Sequence, residues 1–240
     1  MKTKRLWEID AARGIAIIMM VISNLALDLA YFRDWGIDIY SGFWLYFARA
    51  TAASFIFIAG VSLALSYSRL RRKAYKKYLF RGLRIFSLGL AITAVTFILF
   101  PQNIIWFGIL HLIGFSIVIS YPFLGRKAVT AFALGIAIII MGLYLGTMTI
   151  DSHLLLWLGL KPGGFSSFDH EPVFPWYGLF LLGISLGSVL YSGGKRSFSL
   201  GDFSGNVIVK PLAFLGRHSL FIYLAHQPVI VGLILSGMIL

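Results

Sequence analysis

RGIAIIMMVISNLALDLAYF, residues 13–32, is long and apolar enough to cross a bilayer, yet it carries Asn24 and Asp28 where a plain anchor would carry leucines. At about 100° per residue, Asp10, Arg13, Asn24 and Asp28 project within about 60° of one another and form one polar stripe on a helix. A carboxylate near the bilayer centre costs at least about 2.5 kcal/mol on insertion scales, so an intramembrane aspartate marks a functional site by default. The plainer alternative is an interhelical hydrogen bond, which suits Asn24 better than Asp28.

The rest of the chain has the same character. Of 240 residues, 59% are hydrophobic and only 12% charged, with a mean hydropathy of +0.86. Soluble domains average about 45–50% apolar and 25% charged, so the expected class is an all-α, polytopic membrane helix bundle forming one domain over residues 1–240. Seven spans are expected, at about 13–32, 43–66, 79–100, 104–122, 127–148, 173–192 and 212–236. The chain has no cysteine, which excludes disulfides, thiolate nucleophiles and cysteine-ligated metals.

Lys and Arg near span ends stay cytoplasmic, and here they alternate sharply between connections. Lys2, Lys4, Arg5 and Arg13 lie before or at the start of the first span; Arg69, Arg71, Arg72, Lys73, Lys76, Lys77, Arg81 and Arg84 lie before or in the first turns of the third. Arg126 and Lys127, then Lys195, Arg196, Lys210 and Arg217, fall on the same side, against Arg33 and Lys161 opposite. This places the N-terminus in the cytoplasm and the C-terminus outside. The first span has full length and no small-residue cleavage site, so it is expected to be retained; 153–160 is too short to cross and reads as re-entrant or interfacial.

Topology accounts for most of the pI near 10.1, which therefore does not point to nucleic acid. The Arg69–Arg84 run is denser than topology needs, and Tyr67, Tyr75 and Tyr78 suit a headgroup layer. Anionic lipid is the simpler partner, and a phosphorylated cofactor such as coenzyme A the sharper one.

Placed by this orientation, Asp28, Arg49, His111 and His226 all fall toward the outer half of the membrane. Asp28 and Arg49 are expected to pair, since neither would stay charged alone in hydrocarbon. His111 and His226 are each a candidate general base or a hydrogen-bonded packing histidine. In the outer connection 149–172, His170 between Asp169 and Glu171 is a weak metal signature, and no metal is expected. Gly163-Gly164 and Gly193-Gly194 read as turns.

Five stretches together carry a resemblance: RLWEIDAARGIAIIMMVISN (5–24), FIAGVS (57–62), GILHLIG (108–114), PWYG (175–178) and LFIYLAHQP (220–228). The chain resembles the catalytic membrane domain of heparan-alpha-glucosaminide N-acetyltransferase and its small prokaryotic relatives, within the wider transmembrane acyltransferases. The resemblance implies transfer of an acetyl or other short acyl group from cytosolic acetyl-CoA to an amine or hydroxyl of a sugar or glycan-like acceptor across the membrane, in a prokaryotic cytoplasmic membrane. Asn24 agrees with the glucosaminide branch, whereas Trp35 stands where that branch has its proposed catalytic histidine. The base role then passes to His111 or His226.

On this reading Asn24, Asp28, Arg49, His111 and His226 carry the chemistry. Asp10, Arg13, Arg81, Arg84, Arg217 and His218 face the donor, and His170, Trp176, Tyr223 and Gln227 face the acceptor. Membrane lipid, including anionic lipid at the basic loops, is an expected partner, and a second copy of the chain is open as another. Two other readings stand beside it: a transporter or solute-binding protein that uses the same polar stripe, and an assembly partner for another membrane protein.

Overall fold

The computed structural model describes residues 5–70 and 75–238; Lys2, Lys4, Arg71, Arg72 and Lys73 of the basic segments lie outside the described residues. Eight α-helices follow in order: α1 (Trp7–Arg33), α2 (Gly42–Ser68), α3 (Tyr75–Leu99), α4 (Ile109–Ile119), α5 (Ala128–Leu145), α6 (Val173–Leu190), α7 (Val209–Arg217) and α8 (Ser219–Leu235). Among the described residues, α1, α2, α3, α5 and α6 are long and apolar enough to cross a membrane, and α7 with α8 makes a sixth crossing if that pair is one span bent by 82°. The protein is an all-α integral membrane bundle.

The expected fourth span, 104–122, differs most. As a helix it covers only Ile109–Ile119, about 16 Å of rise against roughly 30 Å of hydrocarbon. Residues 101–108 instead form a turn and an extended approach to Gly108, and beyond Ser120 the chain tightens into a 3-10 turn at Tyr121–Phe123, with Pro122 inside it.

The chain forms two compact units. The first comprises residues 1–55 and 200–240, with α1, the start of α2, α7 and α8. Glu8 and Asp10 in the first turn of α1 and Arg33 in its last complement the helix dipole. α8 packs along α1 through Leu29, Ile230 and Ile234, flanked by Val21, Leu25 and Phe32.

The second unit, residues 56–199, holds the remainder of α2 and α3–α6. Helices approach closely where both carry glycine, as small residues allow in membranes. A Cβ on Gly135 would sit 2.8 Å from the Gly178 carbonyl oxygen, and one on Gly178 would sit 2.5 Å from that of Gly135, which locks α5 to α6. The connection 149–172 is zipped onto 103–109: Ser167 Oγ donates to the Ile104 carbonyl at 2.8 Å and Glu171 N–H to that of Phe107 at 3.0 Å. Tyr78 departs from the headgroup expectation, because it is fully buried with its ring against Tyr67 and Tyr121.

Candidate active site

In the first unit the polar stripe of α1 is held at two levels by two different helices. Near its start, Arg13 Nη1 donates to Asp10 Oδ1 at 3.2 Å, one turn back, and to the carbonyl of Gly216 in the last turn of α7 at 3.3 Å. The i, i+3 spacing brings Asp10 and Arg13 together, and a cation at a helix C-terminus is favourably placed. Gly216 is required at the crossing, since a Cβ there would overlap the Asp10 carbonyl oxygen. Arg13, expected to face a donor, is thus engaged in joining α1 to α7.

Fifteen residues on, Asp28 is 1% exposed and accepts a hydrogen bond from Gln227 Nε2 of α8 at 2.7 Å. Its Oδ2 and the Gln227 Oε1 are both buried without a hydrogen-bond partner among the described residues. The expected Asp28–Arg49 ion pair does not form; Arg49 lies exposed on α2. A neutral amide on a helix already packed along α1 meets one carboxylate oxygen without the cost of stripping water from a guanidinium. One turn before Asp28, half-buried Asn24 donates from Nδ2 to the Met20 carbonyl at 3.0 Å, which occupies one of its two amide hydrogens.

His226, the residue before Gln227, has a defined tautomer. Its Nδ1 lies 2.6 Å from the Tyr223 carbonyl oxygen, which only accepts, so Nδ1 carries the proton and Nε2 the lone pair. Nε2 is buried and has no partner among the described residues. The Tyr223 ring lies beside it, centroids 5.7 Å apart. Arg217 and His218 lie exposed at the α7–α8 bend.

The second unit holds His111 in a closed network. Gly108 N–H donates to Nδ1 at 3.2 Å, so the proton is on Nε2, which faces Thr93 Oγ1 at 3.3 Å; that hydroxyl donates to the Ile105 carbonyl at 2.6 Å. The ring stacks on Phe107 and meets Phe86 edge-on, over a space that Gly89 leaves open. Both nitrogens are committed, which makes His111 a packing histidine that pins α3 to the start of α4. Next to it, Asp169 Oδ2 accepts from the Ile109 N–H at 3.0 Å and caps that helix.

His170 packs against Phe165, and both its ring nitrogens are buried without a hydrogen-bond partner among the described residues. Burial first, then the Lys161 charge, pushes its pKa down to about 4, so the ring is neutral near pH 7. Trp176 is half-buried in the first turn of α6, and Arg81 and Arg84 are exposed near the start of α3. No group of three or more His, Asp or Glu among the described residues is placed to hold a metal ion.

Residues 5–228 match the family model described as heparan-alpha-glucosaminide N-acetyltransferase, catalytic. The chain belongs to that family. Comparison with curated proteins and with solved structures gave no match. Membership in this acetyltransferase family, with a bundle of membrane helices, makes the chain a membrane enzyme of the acyltransferase type. The matched stretch includes Asp10, Arg13, Asn24, Asp28, His226 and Gln227.

Three features of this family member escape a reading of its sequence. Gln227 bonds Asp28 directly; Thr93 and Gly108 close the His111 network; and the Gly216 carbonyl takes Arg13. Only Gly14 on α1 and Gly216 on α7 hint in the sequence at a close crossing.

Proposed function

We propose that the protein transfers an acetyl or other short acyl group from acyl-CoA to an amine or hydroxyl of a sugar or glycan-like acceptor. The observation that carries this reading is His226 Nε2, a buried lone pair without a protein partner, one residue from the Gln227–Asp28 contact. His226 Nε2 removes the proton of the acceptor amine or hydroxyl as that atom attacks the thioester carbonyl carbon. The second amide hydrogen of Asn24 donates to the oxyanion that develops. The carbon–sulfur bond then breaks, the proton passes from His226 to the departing thiolate, and free CoA and the acylated acceptor result. Asp28, held by Gln227, offsets the positive charge that His226 gains meanwhile.

The residues present suit such a donor. Arginine holds phosphate well, and Arg81 and Arg84 stand exposed near the cytoplasmic start of α3 on the proposed orientation. That orientation has the N-terminus in the cytoplasm, the C-terminus outside and seven crossings in a prokaryotic cytoplasmic membrane, with α4 and the turn after it as the short one. It is supported by the basic residues at the starts of α1 and α3 and in 195–217. The family match runs continuously through both units, which supports one functional domain.

The test is transfer of radiolabelled acetyl from acetyl-CoA by protein in proteoliposomes, with a panel of amino sugars and neutral sugars as acceptors. CoA-dependent labelling lost in His226→Ala supports the reading. Movement of an unmodified solute without CoA would replace it with transport.

A further inference from the structure

The outward face of α7 has no part in the chemistry above. α7 seats its inner face on α1, where Cβ atoms at Gly14 and Gly216 would overlap the carbonyls of Leu212 and Asp10. It then turns by 82° into α8, which runs along α1. With α8 as the crossing helix of the proposed orientation, the 82° bend lays α7 close to the plane of the membrane surface, at the end of α1 that carries Arg13.

Its outer face combines two chemistries. At about 100° per residue, Val207, Lys210, Phe214, Arg217 and His218 fall within about 100° of one another, with Val207 leading into the helix. All are exposed, Val207 by 87% and Phe214 by 54%, and Ile208 and Phe203 just ahead are also bare. Asp202 is the single acidic residue in 200–218. A soluble phosphate or nucleotide would answer the cations and leave the apolar side chains in water. Hydrocarbon alone would do the reverse. An anionic amphiphile satisfies both at the depth where α7 lies.

We propose that α7 is an in-plane surface helix that binds anionic phospholipid, Lys210 and Arg217 holding the headgroup phosphate while Val207 and Phe214 enter the acyl boundary. Arg217 and His218 are thereby reassigned from the acyl donor to lipid. The inference rests on the orientation proposed above and is independent of acyl transfer.

Because the chain has no cysteine, Val207→Cys provides a unique labelling position on the full-length protein. With a fluorophore there and the protein in vesicles, quenching is compared between doxyl-labelled phosphatidylglycerol and phosphatidylcholine of the same acyl chain. Preferential quenching by phosphatidylglycerol is expected, falling about five-fold for each charge removed by Lys210→Gln and Arg217→Gln. Melting temperature should be unchanged in both variants, since neither side chain is buried. Equal quenching by the two lipids, no quenching by either, a preference that survives the double variant, or loss of quenching on adding coenzyme A would each overturn the proposal, the last by giving the face to a nucleotide.

Discussion

Asp28 on α1 and Gln227 on α8 meet through one hydrogen bond of 2.7 Å, and the second oxygen of Asp28 and the amide oxygen of Gln227 are buried with no hydrogen-bond partner among the described residues. This contact joins the polar stripe of the first helix to the histidine of the last.

Breaking that contact from the two sides should give unequal results. Gln227→Leu leaves a buried carboxyl with no donor and should cost about 1–3 kcal/mol. Asp28→Asn can still accept from Gln227 and should melt near the parent, while the pair Asp28→Leu with Gln227→Leu should cost less than the sum of the two single changes. Thermal unfolding in detergent measures all four; additive losses would mean that the contact contributes nothing.

His226→Ala should lower turnover about 10²- to 10⁴-fold, the usual worth of a positioned base. The folded protein should be recovered at parental yield, because Nε2 holds no other residue. The readout is initial rate of acetyl transfer beside size-exclusion behaviour of the same preparation.

Thr93→Val should act on stability alone. It strands the His111 Nε2–H inside the second unit, at a cost of about 1–3 kcal/mol. Turnover per folded molecule should stay within a factor of about two, against the large loss that general-base participation by His111 would bring. Melting and rate are measured together.

Gly216→Ala should loosen α7 from α1, since the added methyl overlaps the Asp10 backbone. Overpacking of this kind typically costs about 1–3 kcal/mol. Gly205→Ala, where a Cβ meets nothing within 4 Å, is the matched control and should be neutral. Comparable melting of the two variants would show that the crossing is not tight.

His170 makes stability depend on pH. Its folded pKa is depressed from 6.5 to about 4, so between those values the unfolded chain binds more protons. Its contribution is therefore present above about pH 6.5, falls as the pH drops through this window and is gone below about 4. His170→Phe should flatten that part of the melting-temperature profile between pH 7 and 4 in detergent; an unchanged profile would mean that the ring is not desolvated when folded.

Much of the architecture was legible beforehand for simple reasons. Hydrocarbon demands long apolar helices, so α1, α2, α3, α5 and α6 announce themselves by composition, and the basic connections suggest their direction. The short α4 was not legible, because the apolar run 104–122 continues through residues whose backbone is set by Gly108, Pro122 and the contacts of the outer connection. Hydropathy registers such residues as membrane whether or not they are helical.

The polar stripe shows the same division between sequence and tertiary structure. Helical periodicity alone put Asp10, Arg13, Asn24 and Asp28 on one face, because the angle per residue is a property of the helix and needs no neighbour. Their partners depend on which helices pack against that face. Coulomb attraction suggested Arg49 for Asp28 and a phosphate for Arg13. Packing gave Asp28 the amide of Gln227 and Arg13 the carbonyl of Gly216, since α7 lies on α1 where Gly14 and Gly216 allow close approach and α8 packs on it through Leu29, Ile230 and Ile234. Tertiary structure likewise gave the two histidines different surroundings, by closing hydrogen bonds around both nitrogens of His111 and leaving Nε2 of His226 without a partner among the described residues. Residue type sets what a side chain can bond, but only the packed helices bring a donor within 3 Å or keep one away.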